Sequence, residues 1–392
     1  MRCKICNGNL KEVINLDKQA LANKYPKNRL EIKKEKKYLL KVLFCSNCKT
    51  AKLNKIISRK LMFENYFYLS SVNEGLVDHF KKLSGKLKNS KFVIDIGSND
   101  GILLRPLKKL RINSLGVDPS KNVGDIANKK GLRTLIGFFN IKLVKKILKK
   151  FSKPDTIVAS SVMTHSNDPK EFMNNIKLLL ENDGTFILEI EYLLNILKKT
   201  QYERFYFDRP YYYSIRSIDL LANAVGMSLI HVENIKVHGG SLRFIIKNIK
   251  NADKTKQCKK LLNIENKILN FQYFETFNLK IIQESKKLVK NLIKFKNEKK
   301  KVIAYGAPAR LSTITNFAKI NNNLIEFIID DNPLKQNRYS PGQNIYIRSK
   351  KNINFKNIDI VIVFAYEYFK YLKKNIKVKK IKFFKPIPFR KL

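Results

Sequence analysis

Val93–Gly101 reads VIDIGSNDG and runs directly into ILLRPLKKL, residues 102–110. An apolar strand that ends in a glycine turn and then opens a helix is where the backbone can touch a nucleotide-like cofactor. Gly97 and Gly101 permit the close approach, and Asp95 is placed to hold the cofactor's polar amino-acid end. The next strand-like run, SLGVDPS, ends at Asp118, 23 residues after Asp95, in position to take both hydroxyls of a ribose. A dinucleotide loop would read GxGxxG; here Asn99 and Asp100 interrupt that spacing.

Outward from this stretch the same rhythm continues. RTLIGFF, DTIVASSV and GTFILEI are short apolar strands separated by helix-like runs such as PKEFMNNIKLLL, and MSLIHVENI with SLRFIIKN follows as a hairpin pair. This alternation predicts an α/β fold built on a doubly wound sheet. Five alternating strands closed by such a pair resemble the class I methyltransferases, with Asn99 where many members have the middle glycine. The resemblance implies S-adenosylmethionine (SAM) as cofactor, held by Asp95, Gly97, Asn99, Gly101 and Asp118.

Residues 251–299 place Leu261, Ile264, Ile268, Ile282, Val289 and Leu292 at helical spacing without Pro or Gly, predicting one or two connecting helices. After Lys301 the strand–helix rhythm restarts in VIAYGAPAR, IEFIIDDNP and IDIVIVFAY, a second, smaller Rossmann-like α/β domain. Before the first sheet, Phe63, Phe67, Leu76, Val77 and Phe80 mark a helical lead-in over 61–84. The expected domains are therefore 1–60, 61–250, a connector at 251–299, and 300–392.

The first of these carries Cys3-x2-Cys6 and Cys45-x2-Cys48. Two short clips let four thiolates surround a zinc ion tetrahedrally, and a four-cysteine set leaves no open position, so the expected role is structural. Thirty-eight residues separate the clips, which requires the intervening chain to fold over the site. Cys258 stands apart in the connector and reads as a buried thiol.

A net charge of +47 raises the possibility of a nucleic-acid partner, but the lysines are spread through nearly every block of ten rather than gathered on one segment. Solvated lysines are the simpler reading, and a zinc-containing nucleic-acid-binding protein is the least favoured of three functions that the sequence suggests. With 44% apolar residues the chain is expected to fold. It has no apolar run of membrane-spanning length and no signal-like start, so a cytoplasmic location without a membrane span is expected; a monomer is the expected state.

Several stretches together carry a more specific resemblance: LMFENYFYLSSVNEGLVDHF (61–80), VIDIGSNDGILL, ASSVMTHSNDP, the run from TFILEIEYL to VHGGSLRF, AYGAPARLSTITNF, and IIDDNPLKQNRYSPG. In this order they resemble the nucleotide-sugar C-methyltransferases of deoxysugar biosynthesis over essentially the whole chain. The resemblance implies a nucleotide-diphosphate sugar as substrate, in the form of a thymidine-diphosphate-linked 4-keto-deoxysugar. Its carbon beside the ketone would lose a proton and accept the methyl group. The working residues it implies are Tyr68, His165 and Tyr206.

One departure bears on the chemistry. Where the family has Glu-His after that tyrosine motif, this chain has Asp208-Arg209. A guanidinium stays protonated and cannot be the general base. His165 in THSNDP, with a pKa expected near neutrality, takes that role in our reading, while Arg209 stabilises an enolate, clamps an anionic group, or merely pairs with Asp208. The missing pair also leaves open an O- or N-methyltransferase acting on a related activated sugar or glycan precursor. In the last domain, Tyr305, Gly306, Ala307, Arg310, Lys335 and Arg338 are expected to receive the substrate's phosphates at a helix start. Tyr211, Tyr212 and Tyr213 either line a sugar pocket or pack, and His238 shapes a turn with Gly239 and Gly240.

Overall fold

Apolar runs too short for helices and rich in Val, Ile and Phe set three sheets. The computed structural model describes residues 1–63, 68–374, 376 and 380–392; Phe67 of the expected lead-in helix lies outside them. The first sheet is antiparallel and consists of β1 (Leu10–Ala20), β2 (Lys37–Cys45) and β3 (Ala51–Leu53). The second contains β4 (Phe92–Ile96), β5 (Asn113–Asp118), β6 (Thr134–Ile136), β7 (Thr156–Ser160) and β8 (Thr185–Glu191). A two-residue strand, β9 (Tyr211–Tyr212), leaves this region to pair with β3, and β10 (Ser228–Ile235) and β11 (Ser241–Lys247) return to the second sheet.

The order in the second sheet is β6-β5-β4-β7-β8-β11-β10, with β4 to β8 parallel and β11 antiparallel to both of its neighbours. This is the class I methyltransferase topology. Its strand order reverses between β4 and β7, and ligands of open α/β sheets bind outside the strand ends at such a point.

Helices Lys256–Ile268 and Phe271–Asn297 form the connection to the third sheet. That sheet comprises β12 (Val302–Tyr305), β13 (Ile328–Ile329), β14 (Arg338–Tyr339), β15 (Tyr346–Arg348), β16 (Ile360–Val363), β17 (Lys382–Lys385) and β18 (Arg390–Lys391). Its order is β14-β15-β13-β12-β16-β17-β18, again reversing direction beside the first strand.

The thirty-eight residues between the cysteine clips do not close over the clips, as the sequence suggested. They form the β1–β2 ladder, which pairs Leu10 with Cys45 and points its far end at the third sheet. There Tyr25 donates its hydroxyl to the carbonyl of Ala307 at 2.7 Å, and the N–H of Tyr339 bonds the carbonyl of Pro26 at 2.8 Å. Ile14, Leu40, Val42 and Phe44 share one core with Phe274 and Leu288 of the long helix and with Ile314 and Ile362 of the C-terminal region. The zinc-binding segment is thus packed into the whole molecule. Among the described residues no helix is long and apolar enough to cross a membrane.

Candidate active site

Both strand reversals open onto one cavity of about 900 Å³. Its walls include Asp95, Gly97, Asn99, Asp118 and Ser120 on one side and Tyr305, Gly306, Arg310, Asp330 and Lys335 on the other, together with Tyr68, His165, Tyr206 and Arg209.

The loop after β4 is built around three left-handed positions, Gly97, Asn99 and Gly101. Gly97 has φ +78°, and a Cβ there would lie 1.9 Å from a Val162 methyl, so only glycine fits. Asn99 has φ +49°, which Asn tolerates better than most residues, so the usual glycine is dispensable here. The side chain does what glycine cannot: its Oδ1 accepts the Ser70 N–H at 2.9 Å and its Nδ2 donates to the Tyr68 carbonyl at 3.1 Å. Asn99 therefore fastens the Tyr68 segment to the cofactor loop. Gly101, also left-handed, does not line the cavity; a Cβ there would meet Leu132 at 2.4 Å, so its need for glycine is a packing need.

Asp118 accepts the N–H groups of Asn99 and Ser120, each at 2.9 Å, which aims its carboxylate across the loop. Asp95 is fully buried, and that burial, with Asp118 and Glu189 adding negative potential, pushes its pKa up to about 8. Two buried acids facing a cavity suit a cation with ribose hydroxyls, which is the donor set SAM presents.

His165 ends a short turn, Met163–His165, after β7; the helix that follows is capped by Asp168, whose side chain accepts the N–H groups of Lys170 and Glu171. Such a cap is worth about 1 kcal/mol and pins the loop. The His165 Nδ1 lies 2.6 Å from the Asp208 carbonyl, so Nδ1 carries the proton and Nε2 the lone pair. The sequence expectation of a near-neutral pKa does not hold: burial first, then Arg209, with Arg59 adding to it, pulls His165 down to about 3. It is a neutral imidazole throughout the working pH range.

Tyr206–Arg209 make a tight turn closed by the Arg209 N–H on the Tyr206 carbonyl at 3.0 Å. The turn sends adjacent side chains apart. Arg209 pairs with Glu191 at the end of β8, not with Asp208, and stacks over the Tyr206 ring at 5.1 Å. The carboxylate of Asp208 bonds Asn23 Nδ2 and does not line the cavity; only its carbonyl reaches His165. Burial holds the Tyr206 hydroxyl protonated, with its pKa raised to about 12. Tyr211, Tyr212 and Tyr213 are fully buried and absent from the cavity wall, so the packing alternative is correct; the Tyr212 hydroxyl donates to the Arg204 carbonyl at 2.9 Å.

On the other wall, Arg310 is buried and paired with Glu367 at 2.9 Å, while its Nε and Nη1 have no hydrogen-bond partner among the described residues. Lys335 donates to the Ala307 carbonyl at 2.9 Å. Ala307 is held by Asp330, its N–H bonding that carboxylate at 2.6 Å, and does not line the cavity. Arg338 turns away to the Tyr25 carbonyl at 3.1 Å, so it is a docking contact for the β1–β2 ladder and not part of the pocket. His238 lies in the turn Val237–Gly239, followed by Gly240 at φ +115°. Glu191, Glu367, Arg204 and Arg59 reach this region without having been singled out from sequence; Glu191 had a readable signal, a carboxylate ending an apolar strand.

The sulfur atoms of Cys3, Cys6, Cys45 and Cys48 all lie within 4.8 Å of one another, with Cys3–Cys48 at 3.6 Å and Cys6–Cys45 at 3.5 Å. Four ligands about 2.3 Å from a zinc ion are about 3.8 Å apart, so the cluster fits a structural zinc.

Family models match in the order of these parts: a zinc binding domain over residues 3–63, a methyltransferase domain over 68–232, and a C-methyltransferase C-terminal domain over 236–388. The chain is a SAM-dependent methyltransferase. The three matches together join a zinc binding domain and a C-methyltransferase C-terminal domain to the class I sheet. A C-methyltransferase of Streptomyces niveus, NovU, is 24% identical over 379 residues, spanning 93% of this chain and 90% of the relative. The ubiquinone biosynthesis O-methyltransferase of Pelagibacter ubique is 27% identical over 119 residues, 30% of this chain and 49% of that one. Among solved structures, the magnesium protoporphyrin IX methyltransferase of Synechocystis, with bound SAH, is 16% identical, with a TM-score of 0.36, covering 44% of this chain and 83% of that one.

Proposed function

We propose that this enzyme methylates a carbon next to the ketone of a nucleotide-diphosphate-linked 4-keto-deoxysugar. The observation that supports this most is that one cavity is walled by Asp118, His165 and Arg310 together, with two guanidinium nitrogens of Arg310, Nε and Nη1, lacking a hydrogen-bond partner among the described residues and available to a phosphate. A buried donor without a partner costs free energy that an anionic ligand recovers.

SAM supplies a methyl group on a sulfonium, an electrophile for carbon. The protein must make the carbon nucleophilic. Nε2 of His165 takes the proton, the C–H electron pair forms the enolate double bond, and negative charge moves to the ketone oxygen. The enolate carbon would be the nucleophile for the methyl group of bound SAM, whose sulfur would keep the bonding pair. Arg209 and the protonated Tyr206 hydroxyl offer charge and a donor for the enolate oxygen. The cations that hold His165 down also favour the oxyanion, and a bound diphosphate adds negative potential that raises the imidazole's basicity.

Deuterium wash-in tests this directly. With S-adenosylhomocysteine bound and a thymidine-diphosphate-linked 4-keto-6-deoxyhexose in D2O, the enzyme should exchange the hydrogen beside the ketone, and His165→Ala should not. Absence of exchange by the native enzyme would favour methylation of oxygen or nitrogen, which needs no enolate.

A further inference from the structure

Arg59 lies six residues after β3 of the cysteine-bearing sheet and enters the cavity wall, yet it makes no ion pair among the described residues. Its five N–H groups make five hydrogen bonds, all to main-chain carbonyls. Nη1 donates to Asp208 at 2.7 Å and to His165 at 3.2 Å; Nη2 donates to Phe207 at 3.1 Å and to Ile57 at 2.9 Å; Nε donates to Ile57 at 3.1 Å. A planar guanidinium presents these donors in a fixed fork, so the carbonyls it holds are fixed relative to one another.

Two of those carbonyls define the state of His165. The Asp208 oxygen has two lone pairs, one taken by Arg59 and the other facing His165 Nδ1 at 2.6 Å. The same Nη1 holds the carbonyl of His165 itself. Arg59 thus grips both ends of the contact that decides which ring nitrogen is protonated. Phe63 completes the enclosure, lying edge-on to the His165 ring at 5.0 Å with Arg59 5.6 Å from its own centroid.

We propose that Arg59 is a positioning residue for methyl transfer: it locks the Asp208 carbonyl onto His165 Nδ1 and so leaves Nε2 as the only proton acceptor on the ring. This rests on His165 being the base, and it assigns to the last residues of the zinc binding domain a task inside the catalytic loop. A lysine at this position offers one point donor in place of a fork and cannot hold three segments at once.

The chain has four histidines, so [15N]histidine labelling of the full-length enzyme gives a countable set of ring signals, with His165→Ala assigning the one of interest. In the native enzyme His165 should show the Nδ1–H tautomer by two-bond 1H–15N correlation. Arg59→Gln, and equally Arg59→Lys, should convert it to a tautomer mixture. With the keto-sugar above, kcat should fall by about a hundredfold, the scale of a lost general base, with little change in KM. Retention of the Nδ1–H tautomer in both folded variants, or an unchanged kcat, overturns the proposal. Should Arg59→Gln fail to fold, Arg59→Lys carries the same test. The tautomer is read without acceptor, whereas His165→Ala turnover tests the base, so the two readings fail separately.

Discussion

Arg209 is paired with Glu191, eighteen residues away on the end of β8, and not with its neighbour Asp208. Both partners are nearly fully buried. Where the family resemblance implies a histidine, this chain has a cation whose counter-charge sits on a strand that ends beside the cavity.

Glu191 also faces Arg204 Nη1 at 3.8 Å, so breaking the closer pair removes the nearer counter-charge of a buried group, at a cost of up to about 3–5 kcal/mol. Glu191→Gln and Arg209→Met should each lower the thermal midpoint substantially, and the double variant should recover much of the loss. Additive losses in the double variant would show that the two side chains do not depend on each other.

Asp95 should couple cofactor binding to protons. Its folded pKa, about 8, is raised above the unfolded value, so its contribution to the unliganded protein's stability is fully present below pH 4 and is lost as pH rises through 8. A cationic ligand favours the carboxylate, so SAM affinity should rise with pH up to about 8 and binding near pH 7 should release a proton. Calorimetry in buffers of different ionisation enthalpy measures this; Asp95→Asn should abolish the release, and S-adenosylhomocysteine, lacking the sulfonium charge, should show less of it.

His165 has the opposite sign. Its folded pKa, about 3, lies below the unfolded value of about 6.5, so its contribution is fully present above pH 6.5 and is lost as pH falls toward 3. The slope is at most about 1.4 kcal/mol per pH unit. Urea unfolding from pH 7 to 4 should show a shallower decline in His165→Asn than in the native enzyme.

Zinc should order the catalytic turn as well as its own clips. Ser214 Oγ donates to the Cys48 carbonyl at 3.0 Å, and β9 pairs with β3 immediately beyond Tyr206–Arg209. Stripping zinc should raise amide exchange across residues 202–214 while exchange in β4 changes little. Unaltered protection in 202–214 would separate the two regions.

The second sheet was legible because its strands are short, apolar and regularly interrupted, and because glycine and a terminal carboxylate mark the cofactor loop. The cysteine clips were legible by spacing. β1 was not: its ladder is irregular between Glu12 and Ile14 and between Asn15 and Lys18, and Asp17 is left-handed, so the period-two signal is broken. Strand β9, of two residues, carries no pattern at all. At the site, the sequence named His165, Tyr206 and Arg209 but not what they touch. Their partners are main-chain carbonyls and side chains brought in by topology, as with Arg59 and Glu191, and the pKa of His165 depends on that company. Arg338 misled because proximity to the phosphate-site residues along the chain does not fix which way a side chain turns.

The most direct test follows the methyl group. The enzyme is incubated with [methyl-13C]SAM and a thymidine-diphosphate-linked 4-keto-6-deoxyhexose, and the product is examined by 13C NMR. A labelled methyl bonded to the carbon beside the ketone, which re-forms as that carbon is methylated, is expected; a labelled methyl on oxygen would contradict enolate chemistry.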